Sequence, residues 1–250
     1  MAELATPREL SKPPITEALV DIRAAVTAPV TAYEALTSEL KGRYPNVEQR
    51  QGIWAQFKIE GGKVRTENKD MGFQGTQLRS ADGNALVQFR PDGFTFNNLN
   101  AYMGGDRLIT EALALWEMFA AQTHPELVSR VALRYINQLK VPLRQGDEFS
   151  RFLTAAPPTP EGAPQTVSEF LTRIVSHPDN DSALNVIVTQ KFTPSDPETE
   201  PMLVLDIDAF RALDCSPDPT SLRVTLDELR RLKNLTFFAH LTDEAVESYV

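Results

Sequence analysis

The chain has 250 residues, 42% of them hydrophobic and 24% charged, and a net charge of -9; this is the make-up of a soluble globular protein large enough to bury a core. No run approaches the roughly 18 apolar residues of a membrane helix, and the opening "MAELATPRELSKPP" lacks the apolar stretch of a secretory signal. The single cysteine, Cys215, excludes an internal disulfide framework and fits a reducing cytoplasm, while the net acidity argues against general nucleic-acid binding.

Residues 1–13 are polar and Pro-punctuated and are expected to be flexible; residues 14–250 are expected to form a single domain. "PPITEALVDIRAAV" alternates as a strand, with Ala18, Val20, Ile22 and Ala24 on one side and Glu17, Asp21 and Arg23 on the other. Thr31 and Glu34 have the spacing of a capping box, which predicts a helix with Tyr33, Leu36, Leu40 and Tyr44 as its stripe and Pro45 as its stop. "RQGIWAQFKIE", "MGFQGTQLRS", "ALVQFR" and "FTFNNL" read as strands, the last two joined by a Pro91-Asp92-Gly93 turn. After Gly104-Gly105, with Asp106 as the expected cap, comes a helix facing its core with Leu108, Ile109, Ala112, Leu113, Trp116 and Phe119.

A similar order then recurs. A basic strand spans 130–142, followed by a short helical segment near Asp147 to Thr154 and a Pro-rich loop. Strands follow in "VSEFLTRIVS", "LNVIVTQKF" and "PMLVLDIDAF", and a closing helix is expected from a second capping box, Thr225 and Glu228, nearly to Tyr249. The order β-α-βn-α thus occurs twice, in halves 14–125 and 126–250. Runs of strands with few helices between them predict an α+β fold with a largely antiparallel sheet and helices on one face. The element order is that of the TATA-binding-protein fold, an analogy of fold alone.

Catalytic and metal signatures are absent. His124, His177 and His240 lack the spacing of a zinc site, and no Walker A, G-x-S-x-G or H-E-x-x-H motif occurs. Cys215 stands beside Asp214, which disfavours its thiolate. No catalytic residue, cofactor or metal is therefore expected. Asp206 and Asp208 share one strand face, a spacing that could hold Mg²⁺ or Ca²⁺ or share a proton, but equally marks a half-exposed strand. In "SRVALRYINQLKVPLR" the bases Arg130, Arg134, Lys140 and Arg144 come without an acid. Three uses are open for them. They could pair across the sheet with Glu17 and Asp21. They could line an anion or nucleic-acid groove with Tyr135, Phe94, Phe96 and Trp54 as stacking partners. They could also be a plain exposed face.

"PPITEALVDIR", "VQFRPDGFTFNNL" and "RVALRYINQLKVP" together resemble a sporadically distributed bacterial protein family with a Pro-hydrophobic-x-Glu-Ala opening and a mid-chain Arg-Tyr-hydrophobic-Asn motif. The family has no assigned activity. Its patchy occurrence implies accessory genes such as defence or toxin–antitoxin modules, and matching positions single out Glu17, Arg134, Tyr135 and Asn137. The expectation is a non-enzymatic factor that holds another protein by its sheet face or its acidic C-terminal half, which includes Asp196, Glu198, Glu200, Asp206 and Asp208. The alternatives are a small-ligand binder or enzyme with an anion-contacting pocket at Arg134 between sheet and helices, and nucleic-acid binding on the curved sheet.

Overall fold

The computed structural model describes residues 5–60, 63–140, 149–193 and 202–250. The first half contributes β1 (Ile15–Arg23), α1 (Val30–Leu40), β2 (Asn46–Glu60), β3 (Lys63–Arg79), β4 (Ala85–Arg90), β5 (Gly93–Leu99) and α2 (Gly105–Thr123). The second contributes β6 (Val128–Lys140), β7 (Phe170–Ser176), β8 (Leu184–Thr193), β9 (Met202–Cys215), α3 (Pro219–His240) and α4 (Asp243–Glu247). The strands form one sheet in the order β2-β3-β4-β5-β1-β6-β9-β8-β7, antiparallel throughout. The protein is thus α+β with a nine-stranded antiparallel sheet among the described residues. None of its described helices is long and apolar enough to cross a membrane.

β1 and β6, which open the two halves, lie side by side at the middle of the sheet, with Leu19 opposite Arg134 and Asp21 opposite Ala132. Each half then places its last strand next to its first and works back outwards. The halves are not equal. Where α1 follows β1, the described residues between β6 and β7 hold a single 3₁₀ turn, Phe149–Arg151. Residues 147 and 148 of the expected helical segment lie outside the described residues, as do Asp196, Glu198 and Glu200.

Alternation along each strand decides what is buried. Val20 and Ile22 of β1, Phe94 and Phe96 of β5, Val131 and Leu133 of β6, and Leu205 and Ile207 of β9 are all fully buried. Against this face pack Tyr33 and Leu36 of α1, Trp116 and Phe119 of α2, and Leu222, Leu226 and Leu229 of α3. Each such side chain contributes about 2 kcal/mol of transfer free energy. The Trp116 indole N–H is satisfied by the Pro217 carbonyl at 2.9 Å, which ties α2 to the start of α3.

Three helix starts differ from expectation. α1 begins at Val30 after Pro29 with no side-chain cap, so Thr31 lies within the first turn and no capping box forms. α2 is preceded by Gly104, also without a side-chain cap, and Asp106 sits inside its first turn. α3 begins six residues before Thr225: Pro219 occupies N1, and Asp218 accepts a hydrogen bond from the Ser221 N–H at 2.8 Å, an arrangement that suits proline's missing donor. The helix also stops short of Tyr249. It ends at His240, Leu241 bridges to Leu153, and Thr242 then caps α4. Residues 5–13 lie along this end of the molecule: the Ala5 N–H donates to the Leu241 carbonyl at 3.0 Å and the Lys12 N–H to that of Tyr249 at 3.1 Å.

The largest departure is β3. Its polar first part, "KVRTENKD", carries no strand pattern, yet it pairs with β2 along its whole length, from Lys63 opposite Glu60 to Asp70 opposite Ile53. β4 covers only Thr76–Arg79 of β3. Beyond Gly75, β2 and β3 therefore leave the sheet as a two-stranded ribbon, roughly 30 Å long at the usual rise per residue. Register shifts near Arg50 and Gly52 mark the departure. Gly75, at φ +137°, is required there, since a Cβ would come within 2.5 Å of the Phe89 carbonyl oxygen.

Candidate functional site

The sheet face away from the helices is built from the residues that alternate with the core. At its centre β1, β4, β6 and β9, with the turn between β4 and β5, bring together Arg23, Arg90, Arg130 and Arg134 with Glu17, Asp21, Asp92, Asp206 and Asp208. Asp21 is the hub. Its two oxygens accept from Arg23 Nε at 2.9 Å, Arg130 at 3.2 Å, Arg90 at 3.1 Å and the Thr95 hydroxyl at 2.8 Å. Arg90 also reaches Asp92 at 2.9 Å, and Arg23 pairs with the same carboxylate. Arg130 bridges from Asp21 to Asp208 at 3.0 Å and stacks over the Phe210 ring.

Arg134 lies opposite Asp208 in register, but its fork closes on Asp206, with Nε at 2.8 Å and a terminal nitrogen at 2.5 Å. This bidentate bond, with the charges of Asp206, Asp208 and Glu17, holds its guanidinium above the ordinary arginine range against the opposing effect of burial. Asp208 moves the other way. Burial pushes its carboxyl above the usual range, against the pull of Arg130 and Arg134, and its Oδ1 is buried without a hydrogen-bond partner. Glu17 forms no ion pair with a base among the described residues; it accepts from the Asn97 amide at 2.6 Å.

The internal-pairing reading of the basic strand therefore holds with different partners. Arg130, not Arg134, meets Asp21, and the acids that answer Arg134 come from β9. With each of these arginines engaged by carboxylates, the face is close to neutral and offers no anion groove at Arg134. Asp206 and Asp208 are likewise committed to arginines. Among the described residues no three His, Cys, Asp or Glu side chains come together to hold a metal ion.

The other predicted residues separate from this face. Tyr135 and Asn137 point to the helix side, where Tyr135 is 1% and Asn137 2% exposed. The Asn137 amide donates to the Leu205 carbonyl at 2.9 Å, and Tyr135 shares a 3.2 Å hydrogen bond with the Tyr102 hydroxyl. Phe94 and Phe96 are buried on that side too, and Trp54 lies out on β2, so these aromatics do not form a stacking groove beside Arg134; the ring that Arg130 meets on the open face is Phe210. Lys140 is exposed at the end of β6, and its backbone N–H donates to the Tyr249 hydroxyl at 3.0 Å.

Two features escape the sequence reading. One is the ribbon. Ile53, Ala55, Phe57 and Ile59 share a face with their cross-strand partners Asp70, Asn68, Thr66 and Val64, and Ile59 is 77%, Ile53 74% and Phe57 67% exposed. The opposite face presents Trp54, Gln56 and Lys58 across from Lys69, Glu67 and Arg65. The other is Lys233 of α3, buried beneath the helix with its ammonium 3.9 Å from the centre of the Tyr135 ring. Its signal was a charge at the i+4 position of the Leu222, Leu226 and Leu229 stripe, where a core residue belongs.

No family model matches the chain, and no curated protein does. Among solved structures it has a distant likeness to the di-domain aromatase/cyclase StfQ of the steffimycin biosynthetic pathway, at 15% identity and a TM-score of 0.20, covering 93% of this chain and 98% of that one. It has another to the S. pombe RNA triphosphatase Pct1 in complex with the Spt5 CTD, at 8% identity and a TM-score of 0.14, covering 90% and 80%. Likenesses this remote carry no argument about function.

Proposed function

We propose that this protein is a non-enzymatic binding factor that holds an acidic partner protein on the β2–β3 ribbon. The observation that carries this reading is the row Ile53, Phe57, Ile59 and Val64, each more than 60% exposed on one face of an unsupported ribbon. Isolated two-stranded hairpins are only marginally stable in water, and a contiguous apolar row gains about 2 kcal/mol per side chain when covered. Lys58, Arg65 and Lys69, against Glu67, make the other face basic in a chain of net charge -9. That polarity suits an apolar groove with an acidic rim. The sporadic family that the sequence resembles suggests the setting, an accessory role in a bacterial defence or toxin–antitoxin-like module.

The test is affinity capture from native cells by the full chain, with two variants run in parallel: Ile53→Ser/Phe57→Ser/Ile59→Ser and Lys58→Glu/Arg65→Glu/Lys69→Glu. Both are expected to lose the same partner while keeping the far-ultraviolet circular dichroism of the parent. Retention of that partner by both variants removes the reading. So does sedimentation showing that the ribbon substitutions turn a dimer into a monomer, since the occupant would then be another copy.

A further inference from the structure

One alternative reading of the sequence has an anion-contacting pocket between sheet and helices at Arg134, which points the other way; two different cations do lie in that layer. Lys233 is only 8% exposed, and its described contact is the face of Tyr135. Burial, aided by the charge of Arg230, lowers its ammonium to about 7, and no carboxylate acts against them. Arg230, one turn earlier on α3, is half-buried with its Nε against the first residue of α2. Buried cations are ordinarily paired, so a buried ammonium beside a second cation, with no acid among the described residues, marks a place where negative charge is missing.

The surrounding groups suit an anion. A methyl on Gly105 would sit 2.8 Å from Arg230 Nε and 3.2 Å from the Tyr102 hydroxyl, so both crowd the first residue of α2. That 19-residue helix has no side-chain cap on its first N–H groups, and the one acid of its first turn, Asp106, is engaged by Arg223. The Tyr102 hydroxyl in turn bonds that of Tyr135, above whose ring Lys233 lies. Burial raises both tyrosines, so their hydroxyls keep their protons at neutral pH and can donate. Helix N–H groups, a guanidinium, an ammonium and a phenol thus converge without a counter-charge.

We propose that Arg230, Lys233, Tyr102 and the N-terminus of α2 form a binding site for a small oxyanion, the carboxylate or phosphate group of a metabolite. The site is separate from the ribbon and independent of any partner there.

Calorimetric titration of the full chain at pH 6 and constant ionic strength, with inorganic phosphate and separately with acetate, tests it. At that pH Lys233 is charged. Saturable one-to-one binding of at least one anion is expected, weakened tenfold or more in Lys233→Met and in Arg230→Met. Lys233→Met removes a buried charge and keeps the volume, so lost binding in that variant does not reflect unfolding. Phosphate binding without acetate binding identifies a phosphate site, and the converse a carboxylate site. The proposal is overturned if neither anion binds the parent chain, or if Lys233→Met binds as tightly as the parent.

Discussion

The two faces of β6 treat positive charge in opposite ways. Towards the open side, Arg130 and Arg134 each meet carboxylates from neighbouring strands, Arg134 in a two-pronged bond to Asp206 and Arg130 held between Asp21 and Asp208. Towards the helices, Tyr135 lies under an ammonium that has no acid to answer it. A lattice that satisfies itself adds to specificity of strand pairing and leaves little for a ligand to use. A buried cation left unanswered weakens the fold until something else neutralises it. The sequence drew attention to the first face because its charges were dense; the second face carries the greater chemical potential because its charges are unbalanced.

Removing the hub of the open face gives the largest expected effect. Asp21→Ala leaves Arg23, Arg90 and Arg130 short of an acceptor in a site where the Asp21 side chain is 11% exposed, and should lower stability by about 3 to 5 kcal/mol in urea denaturation. A loss below about 1 kcal/mol would mean that the lattice is a solvated surface after all.

The opposite sign is expected on the helix side. The folded chain lowers Lys233 from 10.5 to about 7, so between those values the unfolded chain binds more protons and stability rises with pH. Below pH 7 the full penalty is present. Lys233→Met should therefore stabilise the protein by roughly 3 kcal/mol at pH 6 in a buffer without oxyanions, and flatten the rise between pH 7 and 10.5. Parallel pH profiles for parent and variant would show that Lys233 is solvated and ordinary.

Smaller still is the cost of Arg134→Ala. Its side chain is 40% exposed, so water can take over part of its role, and about 1 kcal/mol is expected once screening is allowed for. Complete unfolding of this variant would make Arg134, and not Asp21, the keystone of the face. On the ribbon, Phe57→Ser should change stability by less than about 0.5 kcal/mol while removing partner capture. A large stability loss would mean that the apolar row is already covered.

The legible parts of this chain were those in which one residue's pattern is enough. β1, β4, β5 and the core stripe of α2 declare themselves by alternation or by period, and the central placing of the two opening strands follows from element order. What could not be read depends on neighbours far away in sequence. "KVRTENKD" becomes strand only because β2 is there to pair with it. Thr31 and Thr225 have the spacing of a cap but not its place, since Pro29 and Asp218-Pro219 start their helices earlier. Asp206 and Asp208 read as a solvent face or a cation site because the register that lays them against Arg134 and Arg130 is set by a strand pairing some 70 residues apart. Lys233 was missed for a plainer reason: a lysine in a helix reads as surface until its phase is compared with the leucines before it.

The stitching of Ala5 to Leu241 and of Lys12 to Tyr249 lays residues 5–12 alongside residues 241–249. The path of the polypeptide is thus almost a closed loop. A short linker from Val250 back to the N-terminal segment would complete it, and the ring could be opened at the exposed Asp82-Gly83 turn without cutting a strand. Such a circular permutant is expected to keep the fold, because the bonds between residues 5–12 and 241–249 do not depend on where the chain is opened.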